Sequence, residues 1–201
     1  RTVPMLSLVR FARWEAILSE PEPHAPFAFA RAIWHYGRGV AYAATGQPEL
    51  AMVELEAIEA LEPDVDEIFM GNVYPAKDLL GIAKALLRGE WAYRQANAAE
   101  AVEHFAEAVA LQDALPYTEP PFWYYPTRQS LGAALLADGR AEEAQAVFEA
   151  DLKQYPMNGW STFGLAEAMR AQGDEAGAKK ALGRFDTLWQ FADVTLSTSI
   201  L

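Results

Sequence analysis

Three glycines, each set between two alanine-rich runs, constrain the fold of this chain more than any other feature. Gly46, Gly139 and Gly173 each follow a run of helix-forming residues and precede a short turn and a second such run. A glycine just past a helix commonly adopts the left-handed backbone conformation that ends the helix. Because 38 of the 201 residues are alanine, the strongest helix former, the sequence predicts an all-α protein built from helix–turn–helix segments.

The same residue types recur at fixed distances from these glycines. A small residue stands seven positions before each glycine and an alanine five positions after it, namely Gly39 and Ala51, Gly132 and Ala144, Ala166 and Ala178. A bulky residue follows one helical turn later, and a proline closes two of the segments; these residues are Leu55, Phe148, Leu182, Pro63 and Pro156. The pattern resembles the tetratricopeptide repeat, a unit of about 34 residues that folds as two antiparallel helices.

This resemblance implies a right-handed α-α superhelix, a solenoid of about four helix pairs plus a leading helix, in which stacked pairs bury a shared core. In such a unit the small residue of the first helix lets the second helix cross closely. A fourth, weaker unit has Gly89 at the small position and Ala96 in place of the turn glycine, and its second helix would carry Ala101, Phe105 and Ala108.

The units are unequally spaced along the chain. A single repeat domain would comprise a partial unit at 1–23, full units at 28–63, 76–113, 120–156 and 158–192, and a tail at 193–201. The extra residues fall at 62–75 and 113–126, as insertions or as lengthened helices. Pro120 and Pro121 suit the first turn of a helix. Proline lacks a backbone N–H, and N–H groups in the first turn have no acceptor within the helix. Residues 6–18 predict one amphipathic helix, the second helix of a truncated unit.

Several short phrases also resemble the C-terminal region of a group of bacterial tetratricopeptide proteins of undefined function. They lie at residues 10–14, 34–39, 119–132 and 158–160. The resemblance implies that the chain is a piece of a longer protein, and it supplies no activity.

Composition excludes several classes of function. The chain has 28 acidic and 16 basic residues, a net charge of -12 and no cysteine. Nucleic-acid binding requires clustered Lys and Arg, which are absent, and no apolar stretch is long enough to enter a membrane. No phosphate loop, nucleophile elbow or dinucleotide motif occurs. His104 neighbours Glu100 and Glu107, but a solvated acidic helix face explains that grouping better than a metal site. We therefore expect no enzyme, no metal and no cofactor.

The least generic segment is the aromatic–proline stretch 117–126, which contains four consecutive aromatic residues. One interpretation is that these rings fill space left by the lengthened repeats. The other is that Trp123 and Tyr124 form an aromatic floor for a peptide or small ligand, with Glu119 and Arg128 as polar anchors.

The resemblance also implies where a ligand would bind, because the first helices of such repeats line the concave groove. Position matching assigns further groove residues to all four full units: Tyr36, Glu90, Tyr93, Arg94, Gln129, Trp160, Phe163 and Arg170. Packing between repeats is the alternative for each of them, and for Trp160 the two interpretations are equally weighted.

The sequence thus predicts a non-catalytic scaffold that binds an extended protein or peptide ligand in this groove. Two alternatives stay open. The first is self-association through the helix of residues 1–21, whose apolar face needs cover. The second is the structural half of an enzyme whose catalytic part lies upstream of Arg1. The compartment, cytoplasm or periplasm, stays open because any signal peptide would also lie upstream.

Overall fold

The structure is a computed structural model that describes residues 2–24, 27–65 and 74–200. Within these ranges the regular secondary structure is helical, and no β-strand occurs among them. Ten α-helices are described: α1 Thr2–Arg10, α2 Trp14–Ser19, α3 Ala28–Ala44, α4 Pro48–Leu61, α5 Ala76–Arg94, α6 Ala98–Asp113, α7 Arg128–Ala137, α8 Ala141–Gln154, α9 Gly159–Ala171 and α10 Glu175–Trp189. A short 3-10 turn follows α4 at Glu62–Asp64.

The helices form two compact units, Arg1–Tyr125 (unit 1) and Pro126–Leu201 (unit 2). Each unit contains two antiparallel helix pairs: α3/α4 and α5/α6 in unit 1, α7/α8 and α9/α10 in unit 2. Residues 66–73, which make up most of the expected insertion at 62–75, lie outside the described residues. The finer boundaries of the repeat units stay a prediction.

The turns within the four pairs share one backbone conformation. Gly46, Gly139 and Gly173 have φ values of 76°, 75° and 82°, so the predicted left-handed C-terminal glycines are confirmed. Ala96 has φ 57° at the equivalent place. It adopts this conformation despite its Cβ, at a cost that glycine avoids.

In the second pair of each unit, the second helix begins with a polar side chain that caps it. Asn97 accepts a hydrogen bond from the backbone N–H of Glu100 at the start of α6, and Asp174 does the same for Gly177 at the start of α10. Such caps satisfy N–H groups that the first helical turn leaves without an intrahelical acceptor.

Helix α3 is the centre of unit 1, with α1, α2, α4 and α5 packed around it. Helices α1 and α5 pack closely against α3 because α3 has a glycine at each contact. A Cβ on Gly37 would lie 2.5 Å from the sulfur of Met5 in α1, and one on Gly39 would lie 2.6 Å from Leu87 Cδ2 in α5. The expectation that Gly39 admits its own second helix is therefore wrong, because the group nearest to it comes from the first helix of the next pair.

The predicted single helix over residues 6–18 is also wrong. The chain leaves the helix after Arg10, and Ala12 takes the left-handed conformation with φ 50°. A new helix, α2, starts at Trp14. Unit 1 therefore begins with two short helices rather than one, and Met5, Val9 and Ile17 are their buried residues.

In unit 2 one phenyl ring fills the space between two helices. The tip of the Phe148 side chain, on α8, faces both Gly132 of α7 and Gly164 of α9, and a Cβ at either glycine would overlap the ring. The predicted close crossing at Gly132 is confirmed. Since the ring is confined from both sides, it cannot retreat from one helix without meeting the other.

The stretch between α6 and α7 is an insertion rather than a lengthened helix. Helix α6 ends at Asp113 and α7 begins at Arg128, and residues 116–127 are irregular. The expectation that Pro120 and Pro121 begin a helix is wrong.

A matched pair of glycine substitutions tests the crossing in unit 2. We expect Gly132→Ala to lower the free energy of unfolding by about 1–3 kcal/mol, because the added methyl group overpacks the Phe148 ring. Gly183→Ala lies within α10 where nothing stands within 4 Å of the added Cβ, and it should raise that free energy by about 0.5–1 kcal/mol through helix propensity alone. Urea unfolding followed by circular dichroism measures both. Equal effects at the two positions would contradict the crossing.

Candidate functional site

The aromatic stretch of unit 1 lies on helix α3. The rings of Tyr36 and Trp123 meet edge-on with centroids 5.6 Å apart, and the hydroxyl groups of Tyr36 and Tyr124 are 3.1 Å apart. Both Tyr36 and Trp123 are 2% exposed. These two rings are therefore buried against each other, and the packing interpretation accounts for them in this conformation. Tyr124 is half-buried.

Other contacts hold the same stretch in place. The side-chain amide of Gln112 donates to the carbonyl oxygen of Tyr125 at 3.0 Å. The Arg10 guanidinium lies 5.2 Å from the centre of the Tyr125 ring, within cation–π range. Phe122 meets Tyr74 edge-on at 5.7 Å. Residues 122–125 thus form a bent segment without regular secondary structure, called here the aromatic segment, that is fixed on unit 1 at several points.

Beside this segment, α5 brings a buried carboxylate to a group of tyrosines. Glu90 is 8% exposed and accepts a hydrogen bond from Arg94 Nε at 2.7 Å. Burial raises the pKa of Glu90, and the Arg94 charge and hydrogen bond oppose that rise. Burial is also the main cause that raises the pKa of Tyr93 and Tyr124, and the negative charge of Glu90 adds to it.

Unit 1 therefore gathers half of the predicted groove residues. Those it brings together are Tyr36, Glu90, Tyr93, Arg94, Trp123 and Tyr124. They differ in exposure, since Arg94 is exposed, Tyr93 is half-buried and Glu90 is buried. Only the exposed and half-buried members present surface to a ligand in this conformation.

Glu119 lies apart from that group. It is exposed and accepts a hydrogen bond from the hydroxyl of Tyr117 at 2.6 Å. Arg128, its predicted partner in anchoring a ligand, is half-buried at the start of α7 and belongs to unit 2. A joint role of the two residues stays a prediction.

In unit 2 the predicted residues of α9 face aromatic residues of α10. Trp160 meets Trp189 edge-on at 4.5 Å, and Phe163 meets Phe185 at 5.3 Å. Both Trp160 and Phe163 are half-buried. Arg170, at the end of α9, is exposed and paired with Glu167.

Gln129, the remaining predicted residue, is fully buried in the first turn of α7. Its backbone carbonyl accepts a hydrogen bond from the hydroxyl of Ser199 at 2.8 Å. The indole N–H of Trp189 donates to the carbonyl of Val194 at 2.6 Å. A stretch of the tail without regular secondary structure, residues 194–200, called here the tail segment, therefore lies on unit 2 and reaches back to α7.

Sequence reasoning missed a polar cluster on the other side of α3. His35 Nδ1 and Arg38 Nε contact the two carboxylate oxygens of Glu54, from α4, at 2.5 Å and 2.8 Å. Arg38 also donates to the carbonyl of Leu18 and to the hydroxyl of Tyr42. These contacts tie the end of α2 and α4 to α3. One signal in the sequence could have revealed this cluster. Ionisable residues stand at positions where the helical pattern predicts apolar ones.

A second missed cluster starts helix α9. The carboxylate of Asp151, 1% exposed, accepts hydrogen bonds from Asn158 Nδ2 at 2.7 Å and from the hydroxyl of Ser161. Asn158 in turn accepts from the backbone N–H of Ser161. The cluster joins the last turn of α8 to the first turn of α9, so its role is structural.

Metal ligands do not converge in the part of the chain that the structure describes: no three His, Asp or Glu side chains there could hold an ion. His104 lies 3.7 Å from Glu100 and 4.0 Å from Glu107 on the same helix. Among the described residues, no helix combines the length and apolar character needed to cross a bilayer.

Two crystal structures are similar to this chain along most of its length. Both contain the nearly identical TPR-like repeats of a kinesin light chain-like protein from Podosopora anserina, one of them with a point substitution. Each is 18% identical with a TM-score of 0.54; the matches cover 94% and 96% of this chain, and 86% and 90% of those chains. No family model and no curated protein matches the sequence. The chain thus has an all-α fold similar to TPR-like repeats, as predicted.

The buried carboxylate of unit 1 predicts a pH dependence of stability. Because the pKa of Glu90 is higher in the folded chain than its ordinary value of 4.5, the folded state holds this proton more tightly than the unfolded state. Ionisation of Glu90 therefore costs stability as the pH rises above that value. We expect the unaltered chain to lose stability relative to Glu90→Gln as the pH rises above 4.5, measured by urea unfolding at each pH.

The matched control is Glu143→Gln. Hydrogen bonding to Arg140 lowers the pKa of Glu143, so the unaltered chain should gain stability relative to that variant as the pH rises, which is the opposite sign. A pH-independent difference for Glu90→Gln, or the same sign for both variants, would show that burial does not dominate at Glu90.

Proposed function

We propose that this chain is a non-catalytic protein-interaction module that binds an extended segment of a partner on the first helices of its repeats. One observation supports the proposal most strongly. Each unit already holds a stretch of its own chain without regular secondary structure on a first helix: the aromatic segment on α3 in unit 1, and the tail segment on α7 in unit 2. A surface that holds one such segment is suited to holding a segment of a partner.

The fold supports the same proposal. Stacked repeats of paired helices line an extended concave surface with their first helices, and ligands are commonly bound along that surface. The likeness to TPR-like repeats covers nearly the whole chain. This likeness supports the fold, whereas the class of ligand depends on the residues of this chain.

In unit 1 the residues best placed to meet a partner are Tyr93, Arg94 and Tyr124, which are exposed or half-buried. Tyrosine offers rigid apolar area with a polar edge, and arginine offers several donors in a fixed plane. Buried Tyr36, Glu90 and Trp123 would act by holding these residues in position. A partner segment with carboxylate groups and aliphatic side chains fits that combination.

In unit 2 the corresponding residues are Trp160, Phe163 and Arg170, with Arg128 at the start of α7. Arg170 is 44% exposed at its side chain, so it can meet a partner without rearrangement. Glu119, exposed on the insertion, would add a polar contact outside the helices.

Selection from a displayed library of random peptides, with the full chain as bait, tests this function. We expect peptides that bind the unaltered chain and that lose about tenfold or more in affinity to Tyr93→Ala/Arg94→Ala or to Trp160→Ala/Arg170→Ala, as truncated interface anchors do. Fluorescence polarisation of the selected peptides measures the loss.

Arg88→Ala is the matched control. Arg88 lies on α5 like Arg94, but it pairs with Glu59 of α4, on the second-helix side. The Arg88→Ala variant should bind the selected peptides with the same affinity as the unaltered chain. If no peptide is enriched, or if both double variants retain full affinity, the interaction surfaces proposed here are wrong.

Self-association is a second candidate, carried by exposed apolar residues at the start of unit 1. Val3 of α1 is 71% exposed and Phe11, just after it, is 52% exposed. A second copy could cover both.

Light scattering tests this second candidate. We expect a concentration-dependent dimer whose mass falls to that of a monomer in Val3→Asp/Phe11→Asp. The control Ser7→Asp lies on α1 between these positions and is exposed; if it removes the dimer as well, a general charge effect is the cause. A monomer at every concentration would exclude self-association.

A further inference from the structure

The tail segment makes a long return within unit 2. After α10 ends at Trp189, the chain turns, and the Trp189 indole N–H holds the carbonyl of Val194. The segment then reaches the first turn of α7, where Ser199 donates to the carbonyl oxygen of Gln129, 70 positions earlier in the sequence. A helical carbonyl has a second lone pair beyond the one used within the helix, and Ser199 uses it.

Burial along the tail segment has a clear pattern. Leu196, Ser199 and Ile200 are 8%, 3% and 9% exposed, whereas Thr195 and Ser197 are exposed. The hydroxyl of Thr198 accepts a hydrogen bond from the backbone N–H of Ile200 at 3.1 Å, which bends the segment at its end. Two aliphatic side chains and one hydroxyl group therefore face the protein.

The chemistry of the contact is uncharged. Residues 194–200 include no acidic or basic side chain. Two hydrogen bonds to the rest of unit 2 join a tryptophan N–H to a backbone carbonyl, and a serine hydroxyl to another backbone carbonyl. Recognition thus depends on shape, on aliphatic burial and on one hydroxyl donor, without an ion pair.

The tail segment lies outside the regular helices. Two hydrogen bonds and two buried aliphatic side chains join it to other parts of unit 2. Ordering each backbone residue costs entropy, and a single neutral hydrogen bond contributes little net stability. Segments outside regular helices open locally more often than helices in a core.

We propose that the tail segment is a built-in competitor for the peptide-binding site of unit 2. A partner segment of the same chemistry would displace it: uncharged, without regular secondary structure, with an aliphatic residue, a hydroxyl residue three positions later and an aliphatic residue directly after that. This inference rests on the proposed function and names the ligand class and the regulation of one of its sites.

The tether makes the competition quantitative. A segment joined to its site by a few residues has an effective concentration on the order of millimolar. A free peptide of equal intrinsic affinity binds only to the fraction of molecules whose tail segment is released. Release of the tail segment should therefore raise the apparent affinity for such a peptide strongly, without any new contact.

A labelled peptide with the sequence of residues 194–200 tests the proposal by fluorescence polarisation. Leu196→Asp places a charge at a buried position of the tail segment and should release it, so we expect this variant to bind the peptide at least about tenfold more tightly than the unaltered chain. Ser197→Asp is the matched control, with the same charge at the adjacent exposed position, and should bind as weakly as the unaltered chain. A peptide carrying Leu196→Asp should bind to none of them.

A chain ending at Asp193 provides a second released form, and circular dichroism checks that both released forms keep their helix content. The proposal is overturned if neither folded form binds the peptide, or if Ser197→Asp binds it as tightly as Leu196→Asp. It is also overturned if the unaltered chain is a dimer that Leu196→Asp makes monomeric, since the tail segment of a second copy would then be the occupant. Because the probe is the chain's own segment, these results do not depend on the outcome of the library selection.

Discussion

The structure depends on close helix crossings at glycines, where an aromatic ring stands in for the missing side chain. Phe148 does this in unit 2 by filling the space beside both Gly132 and Gly164, and Phe105 does it in unit 1 beside Gly89. Each ring is almost fully buried and fixes the spacing of the helices that it separates. The turn conformations at Gly46, Ala96, Gly139 and Gly173 then only have to reverse the chain.

The crossings bury one side of each first helix, and other parts of the chain cover part of the opposite side. In unit 1 the aromatic segment brings Trp123 onto Tyr36, and the hydroxyl groups of Tyr36 and Tyr124 meet above a buried carboxylate. In unit 2 the tail segment reaches Gln129. The two segments differ in their contacts, because the aromatic segment is held by ring contacts, and the tail segment by aliphatic side chains and hydrogen bonds that involve backbone carbonyls.

Local patterns in the sequence were sufficient for the repeats. The spacing of Gly132, Gly139 and Ala144 predicted both the turn and the crossing, because each depends on residues close together in the chain. It did not predict the break at Ala12, where a residue without any turn preference takes the left-handed conformation. Nor did it assign Gly39 to Leu87, because that contact depends on how one helix pair stacks on the next.

The candidate sites were predicted less well, for a physical reason. Tyr36 and Tyr124 are 88 positions apart, and Gln129 and Ser199 are 70 positions apart. Whether such residues face a ligand or each other depends on the path of irregular segments, which no helical period specifies. The groove assignment therefore identified residues that lie near one another in unit 1, while it could not tell that Tyr36 and Trp123 cover each other.

The proposed competition means that a first-helix surface of unit 2 holds one segment without regular secondary structure at a time. Hydrogen exchange at the backbone amide of Ile200 tests it most directly, since this amide is bonded to Thr198 only while the tail segment keeps its bend. The amide should be protected in the free chain and should lose that protection when a peptide binds unit 2. Unchanged protection at Ile200 with the peptide bound there would contradict the claim.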